Sequence, residues 1–385
     1  MSAVMPQAAA PAAESSGLWA LAWRRLRHDR AAIFALGVVA AFLFAIVLSS
    51  VGLIASDWAE EVGVNYAPPA FLGAQTEAEA KAEGNAPGAQ AELPPAENPV
   101  DPLGPILREL RGGAGQGGAQ GVAQAGPLEM YGIVDPLAKD MEAIRAEPAT
   151  QTAKGAAARR PTLPFGADKW GRDVLKKTLK GAETSILVGL VAAALAVFLG
   201  TLFGAASGYF GGWIDDAFNW FYSVFTSVPY LLLILAVAAV LQQKGVLAII
   251  LILGLTGWTG VYRLIRAEYL KHKSREYVLA ADAIGASDWS RMFTHIFPNV
   301  SHVALVQMSI LAVGFIKSEV ILSFLGFGVP VGVVSWGSML NEAQNELILG
   351  KWWQMAAAST AMAVLVTAFS FFTDALRDAV DPKLK

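Results

Sequence analysis

Long apolar stretches alternate with short charged ones along most of this chain. Ala31–Ala55 is 25 residues without a charge, enough for a helix to cross a hydrocarbon layer of about 30 Å. Similar stretches at Ser185–Ser207, Ala217–Leu241, Val246–Tyr262, Val303–Phe327 and Trp352–Phe372 predict five more spans. The fold class is therefore an all-α polytopic membrane protein with six transmembrane helices. Arg24, Arg25, Arg27 and Arg30 precede the first stretch, as in a secretory signal. Its apolar run exceeds the roughly 7–15 residues of a signal core, however, and Ser56-Asp57-Trp58 makes a poor cleavage site. Residues 31–55 read as an uncleaved first helix behind an N-terminal arm, 1–30.

Lysine and arginine in short loops set direction, because cytoplasmic loops carry the excess. With both termini cytoplasmic, the inner segments hold 13 such residues: four before the first span, six from Arg263 to Arg291, and Arg377, Lys383 and Lys385. The short outer loops hold two, Lys244 and Lys351. One inner connector, Gly208–Asp216, runs against the pattern with Asp215, Asp216 and no cation. Trp19, Trp23, Trp58, Trp213, Trp352 and Trp353 flank the spans and read as interfacial anchors.

Residues 56–164 differ in kind: an external insertion rich in Ala, Gly, Pro and Glu, with runs such as Gly112–Gly121. Such composition buries little apolar surface, although Leu103–Leu110 and Glu129–Ile144 could form short docking helices. The core of the chain then spans 165–382. Within it, Ala192, Ala196, Gly200, Gly204 and Gly208 fall in strict i, i+4 order. That ridge permits close helix approach and reads as a contact inside the chain. Pro229 predicts a kink in the third span, because its ring removes a ladder hydrogen bond. Lys317 and Glu319 lie in the fifth span, where charges are costly and mark candidate pathway or subunit-interface positions. Two residues apart, they point to different helix faces.

The cytoplasmic loop 263–299 carries the most specific pattern. Tyr277, Ala280, Ala281 and Ile284 fall at i, i+3, i+4, i+7, an apolar face on a short helix. Gly285 ends it, as a residue able to take φ > 0 would. Ser287 is the expected N-cap of a second short helix, stopped by Pro298. Two short helices joined by glycine make a knob that a groove in another protein could accept.

Composition narrows the function. The chain is 55% hydrophobic and 16% charged with a net charge of −3, which argues against both a soluble enzyme and a nucleic-acid partner. It has no cysteine and four histidines, none of them paired at i, i+3 or i, i+4, so a metal site is not expected. No G-x-x-x-x-G-K-[ST] phosphate loop is present, so the chain is not read as an ATPase.

The loop resembles that of the inner-membrane permease subunits of ATP-binding-cassette importers, and among them the C-type permeases of the dipeptide/oligopeptide class. Leu279-Ala280-Ala281, Gly285 and Phe297-Pro298 fall at the spacings of the family's Glu-Ala-Ala loop. Asp282 stands where the class often has arginine. Phe165–Gly212, with F-G-A-D-K-W-G-R-D and G-Y-F-G-G-W-I-D, is similar to a second class segment. Ser318–Pro330, S-E-V-I-L-S-F-L-G-F-G-V-P, is similar to a third, with Glu319 on the class glutamate. The resemblance implies an importer-permease fold in a bacterial inner membrane, carrying di- or oligopeptides. It implies a second homologous permease, two cytoplasmic ATP-binding subunits that hold ATP and Mg, an external solute-binding protein and surrounding lipid as partners. This chain would bind no cofactor. Glu276, Tyr277, Ala280, Ala281, Asp282, Gly285 and Pro298 would form the ATPase-coupling loop; Glu319, Lys317 and Pro229 are the pathway or interface candidates. Nickel or metal-chelate importers of the same class are the alternative, followed by an ion-coupled secondary transporter.

Overall fold

A computed structural model describes residues 24–73, 159–330 and 332–380. The chain is helical, and β pairing among the described residues is limited to isolated bridges. Helix α1 is Arg30–Ser50, started by Asp29, whose carboxylate accepts from the N–H groups of Ala31 and Ala32 at 2.8 and 3.3 Å. It stops five residues earlier than expected, because the chain turns at Gly52 with φ +81°. Helix α2, Val174–Phe210, is longer than the apolar stretch that predicted it. Asp173 caps it, accepting from Leu175 and Lys176 N–H. Its 37 residues reach about 55 Å, so the first turns, with Lys176, Lys177 and Lys180, extend beyond a bilayer core.

The third and fourth spans are broken. Helices α3 (Gly212–Thr226) and α4 (Tyr230–Leu241) meet at 86° across Pro229. That is a break rather than the expected kink, since Pro229 serves as the cap of α4. Helices α5 (Val246–Thr256) and α6 (Thr259–Lys273) bend by 40°. After the short α7 (Glu276–Ala283), a π-helical segment Ser290–Ile296 runs straight into α8, Phe297–Phe324. Pro298 therefore opens a span instead of stopping a separate short helix. Its missing N–H costs nothing in a first turn, and the wider π turn before it absorbs the register change. Helices α9 (Trp336–Ile348) and α10 (Trp353–Val380) complete the fold. Among the described residues, four helices are long and apolar enough to cross a membrane, or six spans if each bent pair is one.

The small-residue ridge is an internal contact. A Cβ on Gly200 would lie 2.6 Å from that of Val261, one on Gly204 2.8 Å from the Tyr262 carbonyl, and one on Gly208 2.7 Å from that of Arg266. Helix α6 thus lies backbone to backbone on α2. Elsewhere along α2, Val188 and Ala192 join Ile234, Leu253, Phe315 and Leu322 of α4, α5 and α8 in the largest apolar cluster of the described residues.

The ends of the expected insertion are structured. Residues 61–69 bridge to 160–172 at Glu61 with Arg172, Gly63 with Arg160, and Pro69 with Leu163, over a small core of Ala67, Leu163 and Ala167. The two short helices expected at 103–110 and 129–144 lie outside the described residues, as do Trp19 and Trp23. Trp353 is not an interfacial anchor. It is buried, and its indole N–H donates to the Ala167 carbonyl at 2.7 Å.

Candidate functional site

Residues 274–289 project from one end of the helix bundle between α6 and α8. Arg275 takes extended backbone before α7, and Gly285 turns the chain with φ +82° in open space. Ser287 Oγ accepts from Ser290 N–H at 3.3 Å, so it caps the segment that continues into α8.

Only Val278 and Ala281 of α7 are buried, and Val278 packs into a cluster with Tyr269, Met292 and Ile296. Ala281 thus faces the protein's own core and is not part of the surface, contrary to the reading from i, i+3, i+4 spacing. Glu276, Tyr277, Ala280, Asp282 and Gly285 are exposed. The spacing did not mark Leu279 or Trp289 as surface. Leu279 is exposed, Ile284 is 84% exposed and Trp289 66% exposed, the latter stacked on Phe293 at 5.1 Å. A small knob made of large apolar side chains in a charged loop is the surface a partner would cover.

The knob is braced rather than loose. Arg291 pairs with Asp282 and with Asp288, the latter at 2.6 Å. Tyr209, at the end of α2, donates its hydroxyl to Asp288 at 2.8 Å, and the cations of Lys273 and Arg291 lie 5.5 and 5.9 Å from its ring. Asp282 is therefore committed within its own loop. Tyr277 Oη meets His272 Nδ1 at 2.7 Å, and burial holds the phenol above its ordinary pKa. Tyr209 and Arg291 were missed as members of this site, although Tyr209 sits in the G-Y-F-G-G segment that the sequence already singles out.

The membrane candidates separate. Lys317 faces outward from the bundle, whereas Glu319 is fully buried inside the chain. Glu319 accepts from Ser323 Oγ at 2.7 Å and faces Ser185 and Ser335, so it joins α8 to α2 and α9 instead of lining an outer interface. Pro229 lies at the α3–α4 break, exposed. Among the described residues, no three His, Asp or Glu side chains converge as metal ligands.

Comparison with known proteins gives matches along the chain. Residues 180–385 match the family described as binding-protein-dependent transport system inner membrane component, and residues 17–69 match the N-terminal TM domain of oligopeptide transport permease C. The chain is 36% identical over 221 residues to the dipeptide transport system permease protein DppC of Bacillus subtilis (strain 168), covering 57% of this chain and 69% of that one. It is 36% identical over 221 residues to the oligopeptide transport system permease protein OppC of the same strain, covering 57% and 72%. For OppC of Haemophilus influenzae the identity is 34% over 219 residues, covering 57% and 70%.

Proposed function

The chain belongs to the binding-protein-dependent transport system inner membrane components, and from that premise we propose that it is the permease subunit of an ATP-driven importer of di- and oligopeptides. The names of its relatives support the substrate class. The observation that carries the coupling role is the braced apolar knob of Leu279, Ile284 and Trp289, held out on α7 and the turn that follows it.

In this reading the 274–289 loop is cytoplasmic and docks on one of two ATP-binding subunits, which hold the ATP and Mg. A second homologous permease completes the pathway, and an external solute-binding protein delivers the peptide. The chain sits in a bacterial inner membrane with both termini inside. Movement of the ATPases presses on the exposed face of α7. Val278 passes that load into the cluster containing Met292 and Ile296. Those residues belong to a continuous 35-residue helical unit, Ser290–Phe324, which spans to the far end. Nucleotide-bound and nucleotide-free ATPases touching the knob differently would bias the permease between its two access states. Glu276, Tyr277, Ala280 and Gly285 supply the rest of the docking surface.

Replacing Gly285 by valine tests this. The site has room for the side chain, but a β-branched residue is strained at φ +82°. Gly285→Val is expected to abolish peptide uptake and peptide-stimulated ATP hydrolysis by the assembled transporter, with normal membrane insertion. Unimpaired coupled hydrolysis in that variant removes the docking assignment.

A further inference from the structure

At the end of the molecule opposite the 274–289 loop, five polar side chains distant in sequence meet in a buried cluster. Lys177, in the first turn of α2, donates to Asp168 Oδ2 at 2.7 Å, to Glu342 Oε2 at 2.6 Å and to Gln354 Oε1 at 3.3 Å. Lys177, Asp168 and Gln354 are buried, and Glu342 reaches the surface. The fifth member, Glu346 on α9, is only 1% exposed. Its Oε1 accepts a long bond from the Lys169 N–H at 3.3 Å, and its Oε2 has no hydrogen-bond partner among the described residues.

The charges around Glu346 do not balance. Among the described residues, Lys177 is the one cation hydrogen-bonded into the cluster, and its bonds go to Asp168, Glu342 and Gln354. Tyr66 faces Glu346 from the 61–69 segment as a neutral phenol, pushed above its ordinary pKa by burial first and by the nearby Glu346 and Asp168 next. Two nearby cations sit over rings instead, Lys169 over Trp170 at 5.4 Å and Arg172 over Trp58 at 5.5 Å. An ionised Glu346 would be a third carboxylate on one lysine, with an unsatisfied buried oxygen, and burying such a charge is costly.

We propose that Glu346 is a proton-binding site that clasps α9 to the 166–173 loop, tight when its carboxyl is neutral and loosened when it ionises. Burial pushes the Glu346 carboxyl up to about 7, against the opposing pull of Lys177 and the Lys169 N–H. Because its pKa is raised on folding, the stability it adds is present in acid. That stability drains away as pH climbs from the ordinary carboxyl range through about 7, then levels off. Glu342 gives the proton a route from solvent. If this end is the external one, as proposed above, the medium outside the cell sets the clasp.

The test is thermal unfolding of the purified full-length chain in detergent from about pH 5.5 to about pH 8.5. The unfolding midpoint should fall by roughly 5 °C over that range, and Glu346→Gln should flatten the slope while matching or exceeding the parent at the alkaline end. A flat parent curve, or a Glu346→Gln curve that keeps the parent's slope, overturns the proposal. Hydrogen exchange of the unsubstituted chain decides independently of whether the variant folds. After correction for intrinsic rates, protection of the Ala343–Ile348 amides should drop several-fold on passing above neutral pH. Protection that does not change with pH also overturns the proposal.

Discussion

Asp215 occupies the connector whose charges run against the direction set by every other short loop, and its contacts remove the conflict. Arg266 on α6 grips it with two bonds of 2.6 Å, through Nε to Oδ1 and Nη2 to Oδ2, while Asn219 and Ser207 also donate to it. The acid thus balances a cation counted in the neighbouring inner loop. A charge tally along the sequence misses this, because the partners are 51 residues apart. Arg266→Met, which keeps most of the stem, should destabilise the fold by roughly 1–3 kcal/mol by stranding a half-buried carboxylate. Adding Asp215→Asn should recover much of that loss, and a double-mutant cycle by chemical unfolding reads the coupling directly. If the two losses simply add, the pair contributes nothing specific.

Among the elements, those dominated by one solvent were legible in the sequence and those with two faces were not. Apolar length located every spanning region, and the i, i+4 ridge on α2 identified a close helix contact, because small residues in register have few other uses in lipid. The prediction at this scale is that Gly204→Val, which drives a side chain into the α6 backbone, costs about 1–3 kcal/mol through overpacking. Thermal unfolding should show that loss, and an unchanged midpoint would mean the two helices are not packed as described. Helix α7 was harder. With eight residues, apolar on nearly all sides, its periodicity could not say that Ala281 turns inward while Leu279 and Ile284 turn out. Pro298 was misread because a proline marks either end of a helix, and only the residues that follow it decide which. The Lys177 cluster was invisible for a different reason: its members come from a loop, two helix starts and a short helix, with no local pattern linking them.

For the molecule as a whole, the ends of the bundle are chemically distinct. Leu26, Ala32 and Ala379 pack together at one end, which also carries the knob, while the 61–69 and 160–173 segments close over α9 and the start of α10 at the other. The absence of cysteine makes the orientation measurable. Ile284 and Ile348 are 84% and 83% exposed at opposite ends. In intact spheroplasts, a membrane-impermeant maleimide should label Ile348→Cys and spare Ile284→Cys until the membrane is permeabilised; the reverse order would invert the proposed topology. The bridged pairs Gly63 with Arg160 and Pro69 with Leu163 have one more consequence. They bring the two stems of a long chain excursion side by side and fasten them to the bundle. A stretch leaving and returning at one point can be lengthened, trimmed or exchanged without moving anything below it. The fold therefore contains a graft point: a fluorescent domain or affinity module spliced between those stems would leave the membrane helices where they are.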